Sequence, residues 1–430
     1  MPSTAPVQLA VIGSGPAGCF FAQSLLRSSP ATKITVFDRL PSPFGLVRYG
    51  VAADHQHTKA ITRQFERLFA DERVSFAGNI AIGRDLSLHE LREHYDAVIL
   101  ATGLSADRPL DIPGSELSGV HGAGAITRVL NSHPDEHVEL PQLGDDVVII
   151  GGGNVAIDLV RFLVKGRDDY LGSDIADTAL TGYLAHPARR ITLINRSRPA
   201  QAKSDPVMLK ELVTLARAKY LAPDLSSFDP VDGDRVATAR LAALDALTAA
   251  DRGPYPGPEV VLRFGTMPVR VFGESRVEGV EIAVDNRLEM IPASSVLTAI
   301  GFHGDNSDIA ALRLDYSEVG KIEPGLYRTG WAKRGPVGAI PENRSDAKHV
   351  ADEVAADIAN GVLVASDRSG FASLPKTLIA QSVSYDDWQR LEQHERYIAP
   401  AGRVRRKLTS TDEMLAAART AQLDERNLTP

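Results

Sequence analysis

Cysteine is nearly absent from this sequence of 430 residues, in which Cys19 stands alone. No disulfide can form within the chain, and a Cys-x-x-Cys redox pair or an iron–sulfur site built from cysteines is excluded. If the protein transfers electrons, a bound cofactor must therefore carry them. A single cysteine also suits a reducing compartment, so we expect a cytoplasmic location.

An excess of positive charge is lacking too, and so are long apolar runs. The 47 Lys and Arg residues are outnumbered by 55 Asp and Glu residues, which gives a net charge of -8. Nucleic-acid binders need a basic surface, so no nucleic-acid partner is expected. No apolar run reaches the ~18 residues that cross a bilayer, and the first residues lack a basic signal-peptide start, so no membrane partner is expected.

The residues from 8 to 22, "QLAVIGSGPAGCFFA", combine a buried strand, a glycine-rich turn and the start of a helix. In such a turn the first glycine makes the bend, the second admits a pyrophosphate and the third allows close helix packing. About 20 residues later the strand "KITVFD" ends in an acid that suits a ribose hydroxyl pair. The residues expected to bind this first dinucleotide are Gly13, Gly15, Pro16, Ala17, Gly18, Asp38 and Arg39.

Two further strands have a common ending. "HYDAVILATG", residues 94 to 103, ends in Thr102 and Gly103, and "LTAIGF", residues 297 to 302, repeats the form. Such endings resemble the strands that close dinucleotide domains in flavoproteins with two of these domains. Each half of the chain thus has an opening turn and a closing strand, and Thr102 and Gly103 join the candidate cofactor-binding residues.

A second glycine-rich turn lies in "VVIIGGGNVAID", residues 147 to 158. Its third glycine is replaced by alanine, which the dinucleotide fingerprint allows. The next strand, "RRITLIN", ends without the acid that would hold a free 2′-hydroxyl and is followed by arginines, whose guanidinium groups suit a 2′-phosphate. A solvated basic turn is the alternative interpretation. The candidate residues are Gly151, Gly153, Asn154, Val155, Ala156, Arg196, Ser197 and Arg198.

Three longer motifs are "LPSPFGLVRYGVAADH" at 40 to 55, "GGGNVAID" at 151 to 158 and "GWAKRGPVGAI" at 330 to 340. They resemble the adrenodoxin reductase type of ferredoxin-NADP reductase, especially its bacterial members. The likeness covers nearly the whole chain. It implies an α/β fold of two Rossmann-like dinucleotide-binding domains. A discontinuous FAD domain would comprise residues 1–105 and 302–430, with the NAD(P)H domain, 106–301, inserted.

The resemblance also implies which residues surround the flavin. Trp331 would lie beside the ring, and the backbone of Gly338, Ala339 and Ile340 would run along it. The segment Gly45, Leu46 and Val47 would line FAD from the other side. A helix within "SDAKHVADEVAADIANG" would direct its positive N-terminal end at the ring and favour the anionic reduced flavin.

The implied activity is electron transfer from NADPH through FAD to an iron–sulfur ferredoxin. One turn would hold the carrier that converts two-electron into one-electron transfer, and the other would hold the electron source. His55 and Glu211 align with a family pair that lies near the nicotinamide and shares a hydrogen bond. A structural bond between the domains explains the same placement. The resemblance further implies a monomer.

Two departures from the family pattern affect coenzyme and partner. Where the family reads RRGPxQAxFT, this chain has "RSRPAQAKSD", with an uncharged Ser197 and an added Arg198. Preference for NADPH could thereby weaken and NADH become usable. Where the family reads GPTGxIGTN, the chain has "GPVGAIPEN", which removes a hydroxyl near the flavin.

Charge is locally reversed between Arg189 and Tyr220, where eight basic residues face two acidic ones. We expect this run to steer an acidic ferredoxin or another acidic iron–sulfur protein, although a solvated helix face is the alternative. The cluster "RVRRK", residues 403 to 407, is expected to be solvated surface rather than a nucleic-acid site.

Other functions of two-dinucleotide flavoproteins can be compared with these residues. A dithiol reductase of the thioredoxin-reductase type is excluded, because the Cys-x-x-Cys pair that it needs is missing. An NAD(P)H oxidase or diaphorase, a flavoprotein monooxygenase, and a flavoprotein that binds partners according to its redox state stay as alternatives.

Overall fold

A computed structural model describes residues 5–223, 225, 234–249, 253–304 and 316–420. These residues form two compact units. The first unit contains 5–106, 131–135, 302–304 and 316–420, and the second contains 107–130, 136–223, 225, 234–249 and 253–301. The first unit is therefore assembled from segments that are distant in the sequence, whereas the second is continuous except for residues 131–135.

The strands follow one another in chain order as β1 (Val7–Ile12), β2 (Thr32–Phe37), β3 (Val74–Ala77), β4 (Ala97–Leu100), β5 (Ala106–Asp107), β6 (Val120–Gly122), β7 (Asp146–Ile150), β8 (Arg190–Asn195), β9 (Lys219–Leu221), β10 (Glu259–Phe264), β11 (Met267–Phe272), β12 (Gly279–Val284), β13 (Arg287–Pro292), β14 (Ser295–Thr298), β15 (Phe302–His303), β16 (Lys321–Glu323) and β17 (Leu326–Arg328).

The helices are α1 (Pro16–Ser28), α2 (Leu46–Tyr49), α3 (Gln56–Lys59), α4 (Thr62–Phe69), α5 (Leu88–His94), α6 (Ala123–Leu130), α7 (Asn154–Val164), α8 (Asp177–Ala185), α9 (Pro206–Thr214), α10 (Arg235–Ala249), α11 (Trp331–Arg334), α12 (Ile340–Ala359), α13 (Lys376–Gln381), α14 (Tyr385–Tyr397) and α15 (Thr411–Arg419). None of these described helices is long and apolar enough to cross a membrane.

The first unit is built on a six-stranded sheet in the order β16-β17-β4-β1-β2-β3. Its strands are parallel except for the β16–β17 pair. Strand β1 is apolar almost throughout because elements cover both faces of the sheet. The strand order reverses between β1 and β4, which is where such sheets bind ligands, beyond the carboxyl ends of the strands.

The second unit repeats this plan with a parallel sheet in the order β6-β14-β7-β8-β10-β9. A separate antiparallel sheet, β11-β12-β13, belongs to the same unit. The prediction of an α/β fold with two Rossmann-like units is confirmed.

Helix α12 differs from the sequence-based expectation at its start. The helix begins at Ile340, five residues before the segment that was expected to open it at Ser345. Pro341 occupies the first turn, where the missing N–H of proline has no cost and its fixed φ favours a helix. Within the first unit α12 packs along α1, and Ala347, Val350 and Ala351 are buried in the shared core.

Candidate functional site

The first glycine-rich turn is closely packed at two of its three glycines. Gly13 has a φ of +109° and donates its N–H to the Phe37 carbonyl at 2.8 Å. A Cβ added at Gly13 would lie 2.3 Å from the Ala101 oxygen, and one at Gly18 would lie 2.0 Å from the Gly13 oxygen. Only glycine fits at either position, because both contacts are with backbone atoms.

The middle glycine of this turn faces open space. A Cβ added at Gly15 would meet nothing within 4 Å, and helix α1 begins at the next residue, Pro16. From the other side Gly45 approaches, since a Cβ added there would lie 3.3 Å from the Gly15 Cα. An open space before a helix N-terminus fits a pyrophosphate, whose charge the N-terminal dipole and backbone N–H groups favour.

Asp38 connects the first glycine-rich turn to the end of β2. Its carboxylate accepts hydrogen bonds from the Ser14 N–H at 3.1 Å, from the Ser14 hydroxyl, and from the Leu40 N–H at 3.0 Å. Burial raises the pKa of the Asp38 carboxyl, while the bonds from Ser14 and Leu40 oppose that rise. The neighbouring Arg39 forms an ion pair with Asp135, and both side chains are about half exposed. The acid expected to bind a ribose thus also supports the turn.

The closing strand of the first unit ends at the same place. The Ala101 N–H donates to the Ile12 carbonyl at 2.8 Å, which sets the end of β4 beside the turn. Thr102 is exposed, and a Cβ added at Gly103 would meet nothing within 4 Å. Both residues therefore lie at the surface beyond the carboxyl ends of the strands, where a ligand is expected.

The segment around α2 contributes mainly backbone. Leu46 is half-buried, whereas Val47 is only 1 % exposed and packs in the core of the first unit. The Val47 side chain therefore cannot line a ligand, so only its backbone remains for the predicted contact. Similarly, Ala17 of α1 is buried, so only its backbone remains for the predicted contact.

The segment that precedes and includes α11 is held in place by Asp346, which was not predicted from the sequence. Asp346, on α12 and 5 % exposed, accepts hydrogen bonds from the Gly330 N–H at 2.7 Å and the Thr329 hydroxyl at 2.9 Å. It also pairs with the Lys333 ammonium at 2.8 Å. The sequence signal for Asp346 was its place next to Ala347, on the apolar face of an amphipathic helix, where an acid needs a buried partner.

Trp331 begins α11 next to this anchor. Its indole stacks on Phe302 with 5.6 Å between ring centroids, and its Nε1 donates to the Gly338 carbonyl at 3.3 Å. Gly338 has a φ of +83° and, with the following Ala339, is exposed ahead of Ile340, where α12 begins. The predicted flavin-contacting residues Trp331 to Ile340 thus form one connected surface segment of the first unit.

The second glycine-rich turn reproduces the geometry of the first. Gly151 has a φ of +145° and donates to the Ile194 carbonyl at 3.0 Å, and a Cβ added there would lie 2.2 Å from the Ala299 oxygen. A Cβ at Gly153 would meet nothing within 4 Å. Ala156 is fully buried at the third position. This turn also has an open space before a helix, α7, and fits a pyrophosphate in the same way.

The first two residues of α7 have different environments. The Asn154 Oδ1 accepts a hydrogen bond from the Asp205 N–H at 2.8 Å, which connects the start of α7 to the N-cap of α9. Val155 is half-buried. Asn154 therefore has a structural partner in addition to its expected place near the coenzyme.

Residues 196 to 198, which we call the arginine turn, follow β8. Arg196 and Arg198 are exposed, and Ser197 is half-buried between them. The Ser197 N–H donates to the Asn195 Oδ1 at 3.0 Å, and its carbonyl accepts from the Gly265 N–H at 3.1 Å. The backbone of this turn is thus fixed on both sides and carries two exposed arginines, whose guanidinium groups suit a phosphate.

His55 and Glu211 belong to different units. His55, in the first unit, is half-buried and immediately precedes α3. Glu211, in the second unit, lies on α9 and pairs with the buried Arg161 at 3.0 Å, an arginine that also pairs with Asp158 at 2.9 Å. Arg161 could not be identified from the sequence, because it lies within the apolar run of α7.

The basic run from 189 to 220 is not one surface. Arg189, Arg190 and Lys219 lie at or just before the start of parallel strands and pair with acidic side chains, Arg189 with Asp145 at 3.5 Å and Lys219 with Glu259 at 3.7 Å. The arginine turn lies at the opposite end of β8, about 20 Å away at roughly 3.3 Å per residue. These basic residues therefore do not form one continuous surface, because β8 separates them. Steering of an acidic partner by the run stays a prediction.

The cluster "RVRRK" is also only partly as expected. Lys407 is 4 % exposed, and its ammonium donates to the Asn131 Oδ1 at 3.0 Å and the Arg48 carbonyl at 3.1 Å. Arg405 pairs with Glu392 at 2.6 Å. The expectation of solvated surface is wrong for Lys407, whose ammonium is buried on polar acceptors.

Comparison with known proteins gives consistent matches. The sequence profile of the pyridine nucleotide-disulphide oxidoreductases matches residues 7–206. Cindoxin reductase of Citrobacter braakii is 41 % identical over 96 % of this chain and 91 % of its own length. The mitochondrial NADPH:adrenodoxin oxidoreductase of Arabidopsis thaliana is 32 % identical over 97 % of this chain and 96 % of its own length.

A solved structure agrees with these relatives. Mycobacterium tuberculosis FprA in complex with NADPH superposes with a TM-score of 0.87 at 31 % identity, over 96 % of this chain and 99 % of that one. Identity of this extent along both chains, together with two dinucleotide turns on separate sheets, settles the relationship. The chain belongs to the FAD-dependent NADPH–ferredoxin reductases of the adrenodoxin reductase type.

Proposed function

We propose that this protein is an NADPH:ferredoxin oxidoreductase in which the first unit binds FAD and the second binds NADPH. The observation that carries this proposal is the repeated turn. In each unit a first glycine is packed against a closing strand, while a middle glycine, Gly15 or Gly153, faces open space before a helix. Two such turns in one chain suit an enzyme that holds two dinucleotides at once.

Bound FAD supplies the conversion chemistry, because a flavin can accept a hydride from a nicotinamide and release the electrons singly. The contribution of the chain is binding and orientation, which dominate a transfer of this kind. Asp38 holds the first turn rigid, and Asp346 fixes the segment that carries Trp331. The backbone of Gly338, Ala339 and Ile340 is proposed to lie against the flavin, with Gly45 and Leu46 on its other side.

His55 and Glu211 are proposed to position the nicotinamide. Glu211 pairs with Arg161 at 3.0 Å, which draws its carboxylate toward α7. Neither residue is assigned a general acid or base role, because hydride transfer needs alignment and no proton.

The arginine turn is proposed to select NADPH. Guanidinium groups bind a 2′-phosphate by charge-assisted hydrogen bonds, and Ser197 can add a neutral donor. The loss of one family arginine at that position leaves NADH as a weaker alternative coenzyme.

The electron acceptor is proposed to be an iron–sulfur protein. The relatives are named for reducing cindoxin and adrenodoxin. We propose that the acceptor here is an acidic ferredoxin and that the chain acts as a monomer. We place it in the cytoplasm, where reducing conditions keep Cys19 a thiol.

The test is anaerobic stopped-flow reduction of the FAD-loaded protein, followed at 450 nm, with NADPH and NADH in parallel. We expect saturation at a much lower concentration of NADPH than of NADH. Equal behaviour of the two coenzymes would contradict the role of the arginine turn. Failure of both to reduce the flavin would contradict the proposed reaction itself.

Turnover separates the reductase from the other flavoprotein activities. We expect fast steady-state NADPH oxidation only when a ferredoxin is added. Equally fast oxidation with oxygen alone would identify an oxidase, and oxygenation of a co-substrate would identify a monooxygenase.

A further inference from the structure

Asn195 occupies the position in the second unit that Asp38 occupies in the first. Phe37 of β2 is in register with Ile12, the last residue of β1. Ile194 of β8 is likewise in register with Ile150, the last residue of β7. Asp38 and Asn195 are the residues that follow, so each lies directly beside a glycine-rich turn.

Asp38 and Asn195 make different contacts with their glycine-rich turns. Asp38 accepts hydrogen bonds from Ser14, the middle residue between Gly13 and Gly15. In the second turn this middle residue is Gly152, and a Cβ added there would lie 2.0 Å from the Asn195 Nδ2. The amide of Asn195 therefore fills the space that a side chain at position 152 would need.

The other end of the same amide contacts the arginine turn. Its Oδ1 accepts the Ser197 N–H at 3.0 Å, and the Asn195 carbonyl accepts the Thr266 N–H at 3.1 Å. Asn195 is 5 % exposed, so water does not compete effectively for these bonds. One buried side chain thus connects the glycine-rich turn with the arginine turn.

We propose that Asn195 is a specificity-determining positioning residue for the coenzyme. The inference rests on the proposed NADPH function. By accepting the Ser197 N–H, the amide fixes the direction in which Arg196 and Arg198 leave the backbone. By being neutral, it presents no charge to a 2′-phosphate, whereas the first unit carries an acid at the equivalent place. A carboxylate at 195 would repel that phosphate and could accept a ribose hydroxyl instead.

The test is Asn195→Asp in the FAD-loaded protein. Calorimetric titration with 2′,5′-ADP and 5′-AMP measures the adenosine site without involving the flavin. We expect 2′,5′-ADP to bind at least about tenfold more weakly, because like charges are brought close together. Binding of 5′-AMP is expected to be unchanged or tighter. Asn286→Asp, the same change on an exposed hairpin of the same unit, is the control and should alter neither affinity.

Asn195→Ala provides a second route if the Asp variant fails to fold. It removes the acceptor for Ser197 without adding charge, so we expect weaker 2′,5′-ADP binding with no gain for 5′-AMP. Kinetically, either variant should raise KM for NADPH while leaving kcat largely unchanged, since the adenosine end is bound equally in ground and transition states.

The possible outcomes test the role of Asn195 separately from the proposed NADPH function. If the unaltered protein binds both nucleotides equally, the NADPH assignment fails. If it prefers 2′,5′-ADP and folded Asn195→Asp keeps the same preference, only the role of Asn195 is overturned. An equal loss of both nucleotides by a folded variant would also overturn it, because that result indicates general support of the pocket.

Discussion

The two glycine-rich turns share a backbone and differ in the side chains around it. In both, the N–H of the first glycine donates a hydrogen bond to a carbonyl of the neighbouring strand. A Cβ added to that glycine would lie 2.2 to 2.3 Å from a carbonyl oxygen at the end of the closing strand. The third position is Gly18 in one turn and Ala156 in the other. The strand-end residue is the acid Asp38 in one and the amide Asn195 in the other.

This comparison separates two requirements of a dinucleotide site. Both turns leave open space beside the middle glycine, which suits a pyrophosphate in either unit. The strand ends in an acid in one unit and in an amide in the other, which suits different ribose groups in the two ligands. Mutations of the two middle glycines should therefore leave the backbone of both turns nearly unchanged and weaken a different ligand in each unit, whereas mutations at the third position should differ between the turns.

The largest expected effect is at the third position. Gly18→Ala would place a Cβ 2.0 Å from the Gly13 oxygen, and overpacking against rigid backbone should destabilise the first unit by about 3 kcal/mol. FAD should be lost with it. The measurement is urea unfolding together with the flavin content after purification.

Ala156→Gly is the matched control for this change. It should cost only about 1 kcal/mol, the difference in helix propensity between the two residues. Equal destabilisation by the two variants would show that the third position is equivalent in both turns, contrary to the contacts described.

The middle glycines should affect ligands and leave folding nearly unchanged. Gly15 and Gly153 have φ angles of -68° and -96°, which alanine accepts, and a Cβ at either meets nothing within 4 Å. Gly15→Ala should weaken FAD binding about tenfold or more. Gly153→Ala should leave FAD bound and raise KM for NADPH by a similar factor. Crossed effects, with each variant weakening the other ligand, would reverse the assignment of the two units.

A smaller effect is expected in the arginine turn. Ser197→Arg restores the second arginine of the family pattern and should sharpen the preference for NADPH over NADH by about threefold to tenfold, as one added exposed charge does. The ratio of kcat/KM for the two coenzymes measures it. An unchanged ratio would mean that Arg198 already takes the place of the missing arginine.

The smallest effect concerns titration of the strand-end residues, since Asp38 titrates and Asn195 does not. Burial raises the pKa of Asp38, so between the ordinary carboxyl pKa and this raised pKa the folded state binds more protons than the unfolded state. The free energy of unfolding of the FAD-free protein should therefore fall as the pH rises from the first of these values to the second. Asp38→Asn should flatten this slope of the unfolding free energy against pH. A slope that persists in the variant would assign it to other groups.

The two glycine-rich turns could be predicted from the sequence alone, because the residues that define each of them are close together in the chain. A buried strand, three spaced glycines and a helix occupy about fifteen consecutive residues, and the glycine spacing has a steric cause. The arginine turn followed for the same reason, as it continues a recognisable strand.

Features that depend on distant residues could not be predicted. The basic run looked continuous because sequence distance ignores the length of β8, which carries Arg190 and Arg196 to opposite ends. Lys407 looked exposed because its acceptors, Asn131 and the Arg48 carbonyl, come from other parts of the chain. The role of Asp346 could not be predicted either, because its partners Thr329 and Gly330 are 16 to 17 residues away in the chain.

The short segment 131–135 limits how this protein could be divided. Although its neighbours on both sides belong to the second unit, the segment belongs to the first. There the Asn131 side chain accepts from two buried ammonium groups, Lys59 at 2.7 Å and Lys407 at 3.0 Å. A recombinant fragment cut at 107 and 301, or a chimera that exchanged that whole stretch for a foreign coenzyme module, would remove this acceptor from both lysines. Modular exchange in this chain must therefore leave residues 131–135 with their original host.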